Sequence, residues 1–297
     1  MPEVKATDSV YLMSYFKASA QHLFYAYSRD GKTWTDINGS RPVFNAYDDE
    51  VWLRDPYLHR VTHNGKTKFH LIHTWGWDHP ALFHWESDDL IHWTAANGGT
   101  RTDDGKIMLM DGHDGGPVSP NAWAPEFTYD GQTGTFYLYW SSRIGDRQVH
   151  HYCTTKDWLT FSTPAVYFDP GFTAIDMTIL KEGDTYYAYY KDERNGEKTI
   201  RCATSKSLDP RVQRFEGSTP LLPSRYIEVE GPEVFPAMGG KGWFLYFDKF
   251  NGDRGVSYTG CTDPSQHKWY PIPDDEIRNP TEVKHGSVEI ISTAELE

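Results

Sequence analysis

Four carboxylates and one imidazole recur along this 297-residue chain, each opening an apolar segment. They are Asp55 in Arg54-Asp55-Pro56, Glu126 in Trp123-Ala124-Pro125-Glu126, Asp176 in Ile175-Asp176-Met177, Glu230 in Glu230-Gly231-Pro232 and His285 in His285-Gly286-Ser287. Measured between the leading residues 55, 123, 176, 230 and 285, the periods are 68, 53, 54 and 55. Carboxyl groups in pairs can cleave an acetal: an ionised one activates water on one face of a sugar, and a protonated one delivers its proton to the leaving oxygen. A separation of roughly 6.5–9.5 Å leaves room for the water and predicts inversion at the anomeric carbon. Crowding several acids together is costly, because like charges raise one another's pKa, and a fold carries that cost mainly where the shifted groups are used.

The elements that must position these residues are legible as a repeat. A phrase running from Ser or Thr through turn residues to an aromatic occurs five times, at Ser28 to Trp34, Ser87 to Trp93, Thr155 to Phe161, Ser205 to Phe215 and Thr262 to Trp269. Upstream of each lies a short aromatic strand: Tyr11 to Phe16, Phe69 to Trp75, Phe136 to Trp140, Tyr186 to Tyr190 and Trp243 to Phe247. The acid-bearing segments precede the last four of these strands. The first strand lacks such a leader, whereas the segment around His285 stands alone at the other end of the chain. If that segment is the inner strand of the N-terminal blade, the ring closes and no sheet edge stays open. The expectation is an all-β fold, a five-bladed β-propeller of four strands per blade, with residues 1–297 as a single catalytic domain. A β-sandwich would carry these ordered phrases only by coincidence.

In a propeller the starts of the inner strands and the ends of the second strands share one face. That face is expected to collect Asp55, Glu126, Asp176, Glu230 and His285, together with Arg54, Trp75, Trp77, Trp123, Trp140, Lys191 and Asp248 as sugar-binding groups. Aromatic faces suit sugar C–H groups, and charged donors and acceptors suit hydroxyls. Strict alternation would put Trp75 and Trp77 on one side, with Gly76 opening space between them.

Composition narrows the alternatives. Aromatics reach 15% of residues, with 11 Trp and 19 Tyr, which favours strands over long helices. The net charge of −13 repels phosphate backbones and anionic headgroups, so neither nucleic acid nor membrane is an expected partner. Cys153, Cys202 and Cys261 are odd in number and far apart, arguing against a disulfide framework. No CxxC or HExxH pattern occurs, so no zinc site is expected from motifs. Residues 1–5 lack the apolar stretch of a secretory leader, which leaves localisation open between an intracellular protein and one with its leader trimmed. A monomer is expected.

The motifs Arg54-Asp55-Pro56, Trp123-Ala124-Pro125, Ile175-Asp176, Glu230-Gly231-Pro232 and His285-Gly286-Ser287-Val288 resemble the ordered motifs of glycoside hydrolase family 43 over nearly the whole chain. The resemblance implies an inverting glycosidase with Asp55 as general base, Asp176 as the group that tunes and orients the acid, and Glu230 as general acid. It also implies a pentose-type substrate, an α-L-arabinofuranosyl or β-xylosyl linkage in a plant-type oligo- or polysaccharide, with galactose-type sugars as the alternative. No cofactor is required by such chemistry, although the resemblance implies that a calcium ion could sit at the axis near His285. This chain departs from the family pattern at Glu126, where Asp or an apolar residue is more usual, and in its ring closure. Invertase-like propellers share the Arg-Asp-Pro triplet, but their Asn-Asp-Pro-Asn-Gly motif is missing and Gly231 replaces the Cys after the acid. A non-catalytic sugar-binding propeller is the reading from another class.

Overall fold

A computed structural model of the chain describes residues 8–44, 52–223, 226, 228–240, 242–250 and 255–297. The amino-terminal residues read above for a leader lie outside that set. The strands form five four-stranded antiparallel sheets. From the inner strand outward, blade one holds Val283–Ser292, Ser9–Lys17, Ala20–Ser28 and Trp34–Asp36; blade two holds Arg54–His63, Lys66–Thr74, Ala81–Ser87 and Lys106–Met108. Blade three holds Trp123–Asp130, Thr135–Ile144, Arg147–Thr155 and Ala165–Phe168; blade four holds Ala174–Glu182, Thr185–Asp192, Ile200–Ser205 and Glu216–Pro220. Blade five holds Val229–Pro236, Trp243–Lys249, Val256–Cys261 and Tyr270–Pro271. Each inner strand neighbours the inner strands of the two flanking blades, so the five close a ring. As expected, the C-terminal strand supplies the inner strand of the N-terminal blade, with Ser14 opposite Ser287 and Tyr11 opposite Ile290.

The repeated phrase is a turn with a defined bonding scheme. In the first three copies the Ser or Thr oxygen accepts the backbone N–H three residues on, from Gly31, Leu90 and Trp158 at 3.0, 2.9 and 2.9 Å. The Asp two residues on then accepts two further N–H groups, as Asp30 does from Lys32 and Thr33 and Asp89 from Ile91 and His92. Short polar side chains at fixed offsets thus satisfy a turn whose backbone has no sheet partner.

The closing aromatic of each turn packs toward the preceding blade. Trp34 of blade one meets Phe235 of blade five at 6.5 Å, and Trp269 of blade five meets Tyr189 of blade four at 5.6 Å. Among the described residues five apolar clusters result, one at each blade interface. Cys153, Cys202 and Cys261 are free and buried in them. Among the described residues no helix is long and apolar enough to cross a membrane.

Candidate active site

The inner strands of blades two to five share an irregularity near their starts. Pairing slips by one residue between Arg54 and Tyr57, Trp123 and Glu126, Ile175 and Thr178, and Glu230 and Glu233. One residue in each slip takes a left-handed conformation: Asp55, Ala124, Asp176 and Gly231, with φ between 44 and 58°. Asp tolerates that region better than most residues and Gly enters it without strain. A bulge of this kind re-aims a side chain at a strand end. Here Asp55 and Asp176 both line a cavity of about 240 Å³ at the axis, together with Glu230, Asp248 and His285.

Each acid has its own surroundings. Asp55 accepts the Thr74 hydroxyl at 2.8 Å, and its other oxygen lies 3.5 Å from His285 Nδ1. Burial alone would raise its pKa, but the His285 contact and the Arg54 charge outweigh burial and hold the carboxyl below the usual range. The Thr74 hydroxyl also accepts the Ala124 N–H at 2.8 Å, tying the Asp55 partner to the next blade.

Asp176 Oδ2 accepts the N–H of Gly231, the residue after Glu230, at 3.0 Å. Its pKa is pushed up to about 6, chiefly by burial, with the charges of Glu230 and Asp55 adding and that of His285 opposing. Glu230 Oε2 receives Lys191 Nζ at 2.9 Å, and the same ammonium holds Glu193 at 2.6 Å. Asp248, paired across the sheet with Glu230, accepts the His285 N–H at 2.9 Å, and burial pushes its pKa to about 7. Burial disfavours charge on His285, yet Asp55, Asp176 and Asp248 together raise its pKa to about 10, so it stands as a cation among the acids.

At the mouth, the Arg54 guanidinium lies 4.7 Å from the Phe16 ring centre and 4.2 Å from that of Trp77. Trp123 donates its indole N–H to the Trp77 carbonyl at 2.7 Å, and the two rings meet edge to face. Trp77 is half exposed, which leaves an aromatic wall open at the mouth.

Of the residues read from sequence, Asp55, Asp176, Glu230, Arg54, Trp77, Trp123, Asp248 and His285 line this cavity, whereas Glu126, Trp75, Trp140 and Lys191 do not. Glu126 follows its bulge by two residues, lies buried, and accepts the Tyr139 hydroxyl at 3.1 Å. Trp75 packs with the cluster between blades one and two and stacks on His79. The strand ends at Thr74 and Gly76 turns left-handed with φ 82°, so the alternation that would have aligned Trp75 with Trp77 stops before reaching them. Trp140 is fully buried and donates to Ser142. Lys191 is buried and reaches the cavity wall only through its ion pairs with Glu230 and Glu193.

Phe16, Thr74, Glu193 and Lys284 also line the cavity. Phe16 is the last residue but one of the second strand of blade one, at the same end as the strand ends read in the other four blades. Around His285 no three His, Cys, Asp or Glu ligand atoms come within 4.8 Å of one another among the described residues.

A family model described as a probable glycosyl hydrolase domain, related to glycoside hydrolase family 43, matches residues 8–297. An α-L-arabinofuranosidase of Bifidobacterium longum is 27% identical over 249 residues, covering 68% of this chain and 22% of that protein. The chain thus spans about a fifth of the length of this curated relative. An endo-1,4-β-xylanase from Bacteroides thetaiotaomicron superposes with a TM-score of 0.62 at 17% identity, covering 94% of this chain and 93% of the other. A family 43 β-1,3-galactosidase superposes with a TM-score of 0.64 at 13% identity, covering 89% of this chain and 56% of the other. At those identities the likeness is one of fold.

Proposed function

The chain belongs to the family of glycosyl hydrolase domains related to glycoside hydrolase family 43, and from that membership we propose that it is an inverting glycosidase acting on α-L-arabinofuranosyl or β-xylosyl linkages in plant-type oligo- or polysaccharides. The observation that carries this reading is the convergence of Asp55, Asp176 and Glu230 on one cavity, although they lie on three blades.

In the proposed reaction Asp55, kept ionised, takes a proton from water as the water oxygen attacks the anomeric carbon. The bond to the leaving oxygen breaks, and that oxygen receives the proton of Glu230. Asp176 is a positioning residue: its bond to the Gly231 N–H fixes the backbone next to the acid. Lys191 meets the ionised Glu230 left after proton delivery. Solvent then returns the proton from Asp55 to Glu230.

The cavity falls below the roughly 300–1,000 Å³ of sites for drug-sized ligands, which suits one sugar residue with the rest of the chain outside. The arabinofuranosidase relative supports a pentose there. A galactose-type substrate is the second reading, favoured by the β-1,3-galactosidase likeness. The experiment is a panel of aryl α-L-arabinofuranosides, β-xylosides and β-galactosides, with the first-formed anomer of the product followed by proton NMR. Turnover of a pentoside with inversion, lost in Asp55→Asn while sugar binding by calorimetry persists, is the expected result. Retention of configuration, or full turnover in Asp55→Asn, would overturn the proposal.

A further inference from the structure

Away from the axis, three side chains of metal-binding type meet on one face of blade two. His70 and Glu86 are direct cross-strand partners, and His84 lies two residues before Glu86 on the same strand. Strand alternation therefore puts all three on one face. His70 Nδ1 lies 3.0 Å from His84 Nε2 and 3.9 Å from Glu86 Oε1. The ligand atoms of all three fall within 4.8 Å of one another. That face packs on blade three, with the His84 ring stacked on Trp158 at 3.6 Å. Two clefts reach the cluster: one is lined by His70, Glu86, Lys68 and Trp158, the other by His84 and Trp158. None of the three residues lines the catalytic cavity.

Two imidazole nitrogens and one carboxylate oxygen make a donor set for late first-row divalent ions, and a poor one for calcium or magnesium, which take oxygen ligands. Zinc–nitrogen bonds of 2.0–2.1 Å in tetrahedral array put ligand nitrogens about 3.3 Å apart, within a few tenths of an ångström of the His70–His84 spacing. Burial pushes the pKa of both rings down, so each is neutral and keeps a lone pair. We propose that His70, His84 and Glu86 bind one divalent transition-metal ion of the zinc type, bracing the interface of blades two and three without joining the reaction. His70 then carries its proton on Nε2 and His84 on Nδ1, and the hydrogen bond between the rings gives way to the ion. Lys68 holds the other oxygen of Glu86 at 3.1 Å, and its charge opposes the incoming cation.

This opposition supplies a test that does not depend on loss of folding. The full chain, stripped with a chelator, is titrated with cobalt(II), and binding is read from its visible d–d absorption and from displacement by zinc(II). One equivalent is expected to bind, with Glu86→Gln and His84→Gln weakening it roughly tenfold or more and Lys68→Gln tightening it. Should His84→Gln fail to fold, Glu86→Gln and Lys68→Gln carry the comparison. No binding up to about 1 mM, binding unchanged in Glu86→Gln, or binding no tighter in Lys68→Gln would overturn the proposal.

Discussion

At the scale of single residues, the acids near the axis fall into two sets, those that line the cavity and those that do not. Asp55 and Asp176 occupy the bulges and face the cavity; Glu126 and Glu233 sit two residues past their left-handed neighbours and are buried outside the cavity lining. The carboxyl of Glu126 is pushed well up by burial and by the charge of Glu233. Burial raises that of Glu233 to about 7 against bonds from the Val288 N–H and the charge of His285. A carboxyl whose pKa is higher in the folded than in the unfolded chain contributes stability that is full below its unfolded pKa and lost as pH rises through its folded one. For Glu233 the window runs from 4.5 to about 7. Glu233→Gln has no proton to lose there, so wild type should lose stability relative to this variant as pH rises from about 5 to about 8. Thermal unfolding of both proteins across that range checks it, and a constant difference would contradict it. The motif around Glu126 was plain in the sequence, but motif phase alone cannot tell which side of a bulge a residue falls on.

At the scale of elements, the repeat was legible because the turn chemistry demands particular side chains at fixed offsets. The bulges were not, because a one-residue slip leaves no mark on composition: Asp55, Ala124, Asp176 and Gly231 share a conformation but not a residue type. The same limit explains Trp75, where a strand pattern was carried one residue past the strand's true end at Thr74. The pairing of the C-terminal strand with Ser9–Lys17 depends on a close approach at Gly286, which faces Tyr15. A Cβ there would collide with the Ser14 carbonyl oxygen, which is backbone and cannot swing aside. Gly286→Ala should therefore cost ~1–3 kcal/mol by overpacking. Gly131→Ala, whose Cβ would meet only Tyr129 at 3.7 Å, is the control that should leave the melting temperature nearly unchanged. Equal melting temperatures for the two variants would contradict this reading of the closure.

At the scale of the whole molecule, ring closure turns distance along the chain into proximity. Blade order puts the inner strands of blades two, four and five around one axis, and blade one brings His285 in beside Asp55. The five-fold architecture and most of the cavity wall could be read in advance, because blade phase fixes which residues start the inner strands. The protonation pattern could not, because it arises from burial at the axis and from charges brought in by other blades, as when His285 meets Asp55 and Asp55 and His285 act on Asp176. In the proposed reaction Glu230 delivers a proton within this shared cavity. The direct measurement compares Glu230→Gln with wild type on a natural oligosaccharide and on an aryl glycoside whose leaving group needs no proton. A loss on the order of 10²–10⁴ is expected on the natural substrate and a much smaller one on the aryl glycoside; equal losses on both, or undiminished cleavage of the natural substrate, would rule out Glu230 as the acid.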